Sequence, residues 1–406
     1  MSRGRILLVK PVLPYPPDQG TKVVSTALID ALAPAHDVTV LARLLSPGEE
    51  RYVRELEARG VRVVATLPAN RASAAARVAY KLAYTARALT TRRSLKSLYD
   101  CPGSTIRAAR ELAREPFDLV ILEYWQLYPL LDVFSRHNTV LLTHDIDAQV
   151  FRARAAIERD LRTQLRARTT WRREAREEAD AYRRAKRVWA LTPRDADEVK
   201  AISGRRASVL PFGLDESAFA GAIEPRMSRE VLLVGAMHSA FNRDAAVHFV
   251  RDIYPAIASL PGVRVTVVGG DLPPEIADFA GSPNVEIAGH APDIGPFMRR
   301  AACLVVPLRF AGGIRIRILY AMAAGLPVVC SPVAVEGMGL EPGRDVLTAT
   351  TPAEYRSHIE RLLDHATYGQ QIAQASREKV WNLHGPEARG PGLRGFVERA
   401  MAEERC

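Results

Sequence analysis

The sequence contains few cysteines and no long apolar run. Its four cysteines lie far apart and form no Cys-x-x-Cys pair, which excludes a disulfide framework and a zinc site of paired cysteines. We interpret them as reduced thiols. No stretch approaches the ~18 consecutive apolar residues that a membrane-spanning helix needs. The sequence therefore predicts a cytoplasmic protein.

The composition is that of a globular protein. Of the 406 residues, 48% are hydrophobic and 25% are charged, which excludes disordered, collagenous and coiled-coil classes. This length corresponds to two or three domains. The absence of a short internal repeat excludes solenoids and propellers.

The formal net charge of +10 is concentrated in two segments. Residues 71–99 carry seven basic and no acidic side chains, and residues 151–187 carry thirteen basic and six acidic ones. Neither segment has the interleaved aromatic residues or the motifs of a nucleic-acid reader, so we do not expect a nucleic-acid partner. Residues 71–99 instead predict a peripheral contact with the inner face of a membrane, or with a phosphorylated acceptor. A solvated surface helix is the alternative.

Short apolar strands alternate with amphipathic helices along the chain, a pattern typical of parallel sheets in an α/β fold. In the first half the predicted strands are 5–10, 37–42, 61–65, 117–123 and 139–143. After residue 220 they are 231–235, 263–269, 285–288, 303–307 and 327–331. We expect two Rossmann-like, doubly wound domains at 1–215 and 225–380 that face a cleft. A helical tail at 381–406 is expected to pack back on the first domain. Ligands of such sheets bind outside the carboxyl ends of the strands.

Several loops at those strand ends resemble one enzyme family. Residues 307–331 read PLRFAGGIRIRILYAMAAGLPVVCS, similar to a donor-site signature with a glycine-rich loop and a helix ending in Leu-Glu-Ala-Met-Ala. Residues 234–249, 210–219, 14–22 and 143–152 resemble four further segments of the same family, in the same order. The chain thus resembles glycosyltransferase family 4, which has the GT-B fold.

The resemblance implies transfer of a glycosyl group from a nucleotide-diphosphate sugar to an acceptor hydroxyl, with retention of the anomeric configuration. It implies no metal and no other cofactor. The acceptor class stays open among polysaccharide, envelope glycolipid and natural product.

Physical chemistry favours an anion site at the glycine-rich loop. Gly312 and Gly313 allow backbone N–H groups to approach a phosphate at the start of a helix. Arg315 and Arg317 would add positive charge for a diphosphate. The alternative is a helix start with exposed arginines.

The resemblance implies further donor-binding positions on other loops. It points to the backbone of Gly20 near the sugar and phosphates, to His290 at the nucleobase, and to Asn242. For Asn242 and the nearby Asp244, capping of a following helix is the alternative. The donor-binding set predicted in this way comprises Gly20, Gly235, Asn242, His290, Gly312, Gly313, Ile314, Arg315, Arg317 and Tyr320.

His144 follows a predicted strand and is the catalytic candidate. A histidine there can donate a hydrogen bond to a sugar hydroxyl or to the departing phosphate. A packed loop histidine is the alternative. Asp147 is predicted to orient His144 or to bind acceptor hydroxyls, with a helix N-cap as the alternative.

Tyr320 departs from the family pattern, which has a glutamate here that accepts both ribose hydroxyls. The acidic residue found eight positions earlier in many relatives is Gly312 in this chain. A phenol offers one hydroxyl where a carboxylate accepts two bonds. We therefore predict a relative preference for thymidine-diphosphate donors, which lack the 2′-hydroxyl.

Two other functions stay open. A nucleotide-sugar epimerase uses the same fold and breaks the same bond, and an impaired scaffold could act as a binding partner. A dinucleotide-dependent oxidoreductase is excluded, because no Gly-x-Gly-x-x-Gly follows a strand.

Overall fold

The computed structural model describes residues 3–67, 91, 93–157, 161–237 and 239–403. Most of the basic segment 71–99 lies outside these ranges, and of that segment only residues 91 and 93–99 are described. The chain divides into two compact units, Met1–Phe212 with Gly390–Cys406, and Gly213–Arg389. We call them the first and the second unit.

The first unit contains a seven-stranded parallel sheet in the order β3-β2-β1-β4-β5-β6-β7. Its strands are β1 (Arg5–Lys10), β2 (Asp37–Arg43), β3 (Arg62–Thr66), β4 (Leu119–Glu123), β5 (Thr139–Leu142), β6 (Arg187–Ala190) and β7 (Ala207–Val209). Its helices are α1 (Gly20–Leu32), α2 (Glu50–Ala58), α3 (Leu95–Asp100), α4 (Gly103–Leu112), α5 (Leu130–Val133), α6 (Asp147–Ile157), α7 (Leu161–Arg184), α8 (Pro193–Ser203) and α16 (Leu393–Ala402).

The second unit contains a six-stranded parallel sheet in the order β10-β9-β8-β11-β12-β13. Its strands are β8 (Glu230–Val234), β9 (Arg264–Val268), β10 (Val285–Gly289), β11 (Cys303–Val306), β12 (Val328–Cys330) and β13 (Leu347–Thr348). Its helices are α9 (Ala240–His248), α10 (Tyr254–Ile257), α11 (Pro274–Phe279), α12 (Gly295–Arg300), α13 (Ile316–Ala323), α14 (Pro352–Asp364) and α15 (Ala366–His384). Each predicted strand overlaps one that the structure contains.

Burial follows from the sequence of the strands. The central strands β1, β4 and β11 are continuous apolar runs, and their side chains are buried on both faces of the sheet, as expected for parallel strands covered by helices. The sequence analysis missed β6 and the edge strands β7 and β13. They have two to four residues, too few to give a periodic signal.

None of the helices within the described ranges combines the length and apolarity that crossing a bilayer requires. Cys101, Cys303 and Cys330 are buried free thiols. Burial raises the pKa of Cys101 to about 11 and that of each of the other two to about 12, so these thiols are unreactive at neutral pH.

Candidate functional site

In the first unit, the strand order reverses between the neighbours β1 and β4. The sheet continues with β2 and β3 beside β1, and with β5, β6 and β7 beside β4. Ligands of doubly wound sheets bind at such a switch point. Val9 pairs with Leu122 in the ladder, so the next residues, Lys10 and Glu123, stand side by side at the carboxyl ends of the two strands. The apolar runs of both strands thus end in opposite charges.

Lys10 and Glu123 form a fully buried ion pair, with 2.7 Å between Nζ and Oε2. The lysine also donates to Ser25 Oγ at 2.7 Å and to the carbonyl of Thr21 at 3.1 Å, so its three N–H donors all have acceptors. Ser25 Oγ in turn donates to Glu123 Oε2 at 2.6 Å. The first turns of α1 therefore complete the surroundings of this pair.

His144 follows β5 and joins the same cluster. Its Nε2 lies 2.7 Å from Glu123 Oε2, and the ring stacks on Tyr124 with 4.6 Å between centroids. Desolvation by burial, with the charge of Lys10, lowers the pKa of His144. The pKa of Glu123 falls to about 2; burial alone would raise it, but Lys10 and His144 outweigh that effect. At neutral pH the cluster therefore holds a carboxylate and a neutral imidazole.

Asp147 has a different environment from the one predicted. Its Oδ2 accepts hydrogen bonds from Trp125 Nε1 at 2.7 Å and Gln126 Nε2 at 3.1 Å, and it pairs with Lys96. The prediction that Asp147 orients His144 is wrong, because the partner of that histidine is Glu123. The N-cap alternative is also wrong, because Asp147 is itself the first residue of α6. Its contact with acceptor hydroxyls stays a prediction.

The amides at the start of α6 are capped by Glu178 of α7. Its two carboxylate oxygens accept from the N–H groups of Asp147 and Ala148 at 3.0 and 2.8 Å. Burial raises the pKa of Glu178 to about 8 and that of Glu174 to about 7. No set of three or more histidine, cysteine or acidic side chains within the described ranges is arranged to hold a metal ion.

Gly20 is the exposed first residue of α1. The helix that it opens also carries Thr21 and Ser25, which contact Lys10. The predicted backbone contact of Gly20 with the donor stays a prediction.

In the second unit, the switch point lies between β8 and β11. Here Gly235 in the loop after β8 lies beside Asn242 of α9 and Arg317 of α13, the helices that follow the two strands. Arg317 Nη1 donates to Asn242 Oδ1 at 2.6 Å. A Cβ at Gly235 would lie 3.2 Å from Asn242 Cγ and 3.5 Å from Arg317 Nη1, so the position favours glycine. A Cβ on Gly269, after β9, would lie 2.0 Å from the Gly235 carbonyl oxygen, which makes that close approach possible only for glycine.

Arg317 is a partly exposed cation that no carboxylate within the described ranges pairs with. Its Nε is buried without a hydrogen-bond partner among them. Desolvation and the neighbouring charge of Arg315 lower the pKa of Arg317 to about 10. An arginine stays protonated at neutral pH even so. The switch point of the second unit thus holds a desolvated positive charge.

Arg315 is committed to the protein backbone. It is buried at the residue before α13, and its Nε donates to the carbonyl of Ala334 at 2.7 Å. Its Nη1 and Nη2 donate to the carbonyls of Gly313 and Glu336. The expected diphosphate contact of Arg315 is not supported by this arrangement, because the guanidinium ties the β11–α13 loop to the turn after β12.

The glycine-rich loop itself is buried at Gly312 and Gly313, with Ile314 half-buried. Gly313 has φ of 63°, a left-handed conformation that glycine adopts without strain. His290 follows β10 and is exposed; a Cβ on Gly270 would lie 3.6 Å from its Cβ. Phosphate and nucleobase contacts at these loops stay predictions.

The N-cap alternative for Asn242 and Asp244 is wrong. Helix α9 begins at Ala240 after Ser239, so both residues lie within it. Asn242 Nδ2 donates to the Ala236 carbonyl at 3.1 Å, while Asp244 pairs with Arg309.

Tyr320 is half-buried on α13. Desolvation raises the pKa of its phenol, and the charge of Asp215 raises it further while Arg389 lowers it. A carboxylate and a guanidinium therefore lie close enough to act on the position that departs from the family pattern.

Sequence reasoning missed Lys10, Ser25 and Glu123. The first and last of these close two apolar strands, and neighbouring parallel strands end at the same edge of the sheet. That placement was a usable signal. Ser25 gave none, since a serine inside a helix is ordinary.

Comparisons with known proteins agree with this architecture. Residues 228–365, which include β8 to β13 and α14, match the model of a family described as glycosyl transferases group 1. Among curated protein sequences none matched.

Three solved structures that resemble the chain cover nearly all of it. The sucrose-phosphate synthase of Thermosynechococcus elongatus has a TM-score of 0.72 at 16% identity, over 99% of this chain and 100% of that one. HepE of Anabaena, solved with UDP and glucose, has a TM-score of 0.65 at 15% identity over the same shares. A glycosyltransferase of Rickettsia africae has a TM-score of 0.62 at 13% identity, over 98% of each chain.

The fold is GT-B. Two parallel-sheet α/β units and structural neighbours of that class confirm the predicted fold class. In this GT-B chain, the second unit contains the whole segment that matches the family model.

Proposed function

We propose that this chain is a retaining glycosyltransferase of family 4, which moves a hexosyl group from a nucleotide-diphosphate sugar to an acceptor hydroxyl. The observation that carries the proposal is Arg317, a desolvated guanidinium without a carboxylate partner in the described ranges, at the switch point of the unit that matches the family model. Partial removal of a charge from water is costly unless the charge is paired. A diphosphate would supply the missing negative charge.

The chemistry follows from that charge. As the glycosidic bond breaks, negative charge grows on the leaving diphosphate while the sugar gains oxocarbenium character. A fixed positive charge near that diphosphate stabilises the transition state more than the ground state. In this proposal Arg317 supplies the charge, and Arg315 holds the glycine-rich loop through the three carbonyls that it binds. No metal is required for these steps.

The donor class is supported by a neighbour. HepE of Anabaena was solved with UDP-glucose, at 15% identity to this chain. His144 of the first unit is the candidate for a contact with the transferred sugar. The acceptor is a hydroxyl compound whose class stays open, and the contact of residues 71–99 with a membrane or a phosphorylated acceptor stays a prediction.

Nucleotide release tests the function directly. The chain is mixed with a panel of nucleotide sugars, with and without candidate hydroxyl acceptors, and both free nucleotide and sugar product are followed. Acceptor-dependent release with a retained anomeric configuration supports the proposal. Release without acceptor, together with an altered sugar, identifies an epimerase instead. Donor binding without any turnover identifies an impaired scaffold.

Sedimentation with vesicles tests the membrane contact. Binding to anionic but not to neutral vesicles, lost when the basic residues of 71–99 are replaced, supports it. Equal absence of binding to both kinds of vesicle overturns it.

A further inference from the structure

The Lys10–Glu123 pair determines which nitrogen of His144 carries the proton. We propose that Glu123 is a positioning residue, which fixes His144 as the Nε2–H tautomer, so that Nδ1 accepts a hydrogen bond from a hydroxyl of the ligand. This inference rests on the proposed function for the identity of the ligand. It reverses the direction of the hydrogen bond that the sequence predicts for His144.

Glu123 is ionised, and its Oε2 accepts hydrogen bonds. Lys10 Nζ and Ser25 Oγ both point donors at Oε2, at 2.7 and 2.6 Å. An ammonium group can only donate, so Oε2 is an acceptor oxygen. The ion pair is completely buried, and a carboxylate there is stable because its cation is beside it.

His144 Nε2 lies 2.7 Å from the same oxygen. An acceptor oxygen at this distance requires a donor, so Nε2 carries the hydrogen. A neutral imidazole has one N–H and one bare nitrogen, and the second nitrogen, Nδ1, is therefore an acceptor.

Nδ1 of His144 is buried and has no hydrogen-bond partner within the described ranges. The other oxygen of Glu123, Oε1, is buried and without a partner there as well. The cluster thus has two buried acceptor atoms whose partners must be donors, and sugar hydroxyls can donate. A phosphate oxygen, by contrast, would meet a lone pair on Nδ1.

Tyr124 and α1 hold this geometry in place. The Tyr124 ring stacks on His144 with an interplanar angle of 25°, and Lys10 Nζ lies 5.1 Å from the centroid of the same ring. Tyr124 itself has φ of 83°, a conformation that costs energy for a non-glycine residue. Residues from β1, α1, β4 and the loop after β5 therefore fix one imidazole.

Nitrogen-15 NMR of the full chain with labelled histidine reads the tautomer without any substrate, with His144→Gln used to assign the signal. We expect a protonated Nε2 and a bare Nδ1 at pH 7. A proton on Nδ1 in the wild type would overturn the inference, whatever the activity.

Two variants test the role of Glu123. Glu123→Gln keeps an acceptor oxygen that can face Lys10, and it should keep the tautomer. Lys10→Met with Glu123→Leu removes the acceptor and the buried cation together, and it should leave a mixture of the two tautomers. A single unchanged tautomer in that double variant contradicts the role of Glu123. Glu178→Gln replaces another fully buried carboxyl group that does not bond to His144, and it is the matched control that should leave the tautomer unchanged.

Donor analogues test the direction of the hydrogen bond. A monofluoro sugar replaces one hydroxyl by a group that cannot donate. For the hydroxyl that Nδ1 binds, kcat/KM of the wild type should fall about tenfold, the effect of one lost hydrogen bond. The same analogue should cost the Lys10→Met/Glu123→Leu variant about threefold or less.

The two proposals can fail separately. If no nucleotide sugar supports transfer but NMR finds the Nε2–H tautomer, the proposed function fails and the tautomer assignment stands. If transfer occurs and every monofluoro donor is used equally by the wild type and the double variant, the function stands and the hydroxyl contact of Nδ1 is overturned.

Discussion

The switch points of the two sheets are built from different chemical groups. In the first unit, β1 and β4 end in Lys10 and Glu123, whose opposite charges pair within the protein. In the second unit, β8 is followed by Gly235, which Gly269 after the neighbouring β9 approaches closely, and the charge comes from Arg317 on the helix after β11. The switch point of the first unit presents side chains whose charges balance. The switch point of the second unit presents closely approaching backbone and a cation without an acidic partner in the described ranges. A balanced cluster can orient a ligand, whereas an unbalanced cation stabilises an anion.

The largest expected effect tests the pairing of opposite charges at the switch point of the first unit. Lys10→Met leaves the Glu123 carboxylate buried beside no cation and should lower the free energy of unfolding by about 3–5 kcal/mol. Adding Glu123→Leu should restore much of that loss. Urea denaturation of wild type, single and double variants measures it. A Lys10→Met protein as stable as the wild type would mean that the pair does not exist as described.

Arg317→Met tests the role of the cation at the switch point of the second unit, which has no acidic partner in the described ranges. This substitution should lower activity without lowering stability. We expect kcat/KM for the nucleotide-sugar donor to fall by a factor that corresponds to about 2–4 kcal/mol. The free energy of unfolding should stay level or rise, because an apolar side chain replaces a desolvated cation. Arg309→Met, which removes an arginine that Asp244 pairs with, is the control. Equal losses of activity in both variants would remove the special role of Arg317.

Arg315→Met should act mainly on stability. Three backbone carbonyls lose a charged donor, and we expect a loss of about 2–3 kcal/mol in the free energy of unfolding. Donor KM should rise more than kcat falls, since the glycine-rich loop is then held less firmly. Chemical denaturation and steady-state kinetics of the same preparation separate these effects. A stable variant with a large loss in kcat alone would instead support the predicted contact of Arg315 with the diphosphate.

The acidic side chains of α7 predict a pH dependence of stability. Burial raises the pKa of Glu178 to about 8 and that of Glu174 to about 7, so above their usual pKa the folded state binds more protons than the unfolded state. Stability should therefore fall as the pH rises from 5 to 8. Glu178→Gln should reduce the loss in the free energy of unfolding between pH 5 and pH 8 by about 1 kcal/mol or more. The nearby charges of Asp147 and Lys96 act on the same group. An identical slope in the variant would contradict the raised pKa of Glu178.

The smallest effect concerns Tyr320. Tyr320→Glu should shift preference from thymidine-diphosphate toward ribonucleotide donors by about two- to tenfold, the effect of one hydrogen bond. Asp215 lies close enough to raise the pKa of the phenol and would repel a new carboxylate, which favours the low end of that range. Competition between paired donors measures it. No shift would make Tyr320 a packing residue.

The sequence was sufficient for the longer strands of both sheets but only partly for the sites. Apolar runs such as residues 6–9 and 119–122 identify buried parallel strands because burial on both faces leaves no polar position. Gly235, Asn242 and Arg317 were named from the family pattern, and the structure brings them together. The partners of Arg315 could not be derived, since backbone carbonyls carry no sequence signal. The partner of His144, Glu123, is 21 positions away in the sequence, and only its place at the end of a neighbouring strand pointed to it.

The last described helix, α16, has a consequence for the order of events during synthesis. It belongs to the first unit, and the carbonyl of Ala400 accepts a hydrogen bond from Asn138 Nδ2 at 2.9 Å. Everything from Gly213 to Arg389 is translated before that helix. At about 5–20 residues per second, the ribosome needs roughly 10–35 s for this stretch. The first unit is thus the earlier to begin folding and the later to be completed.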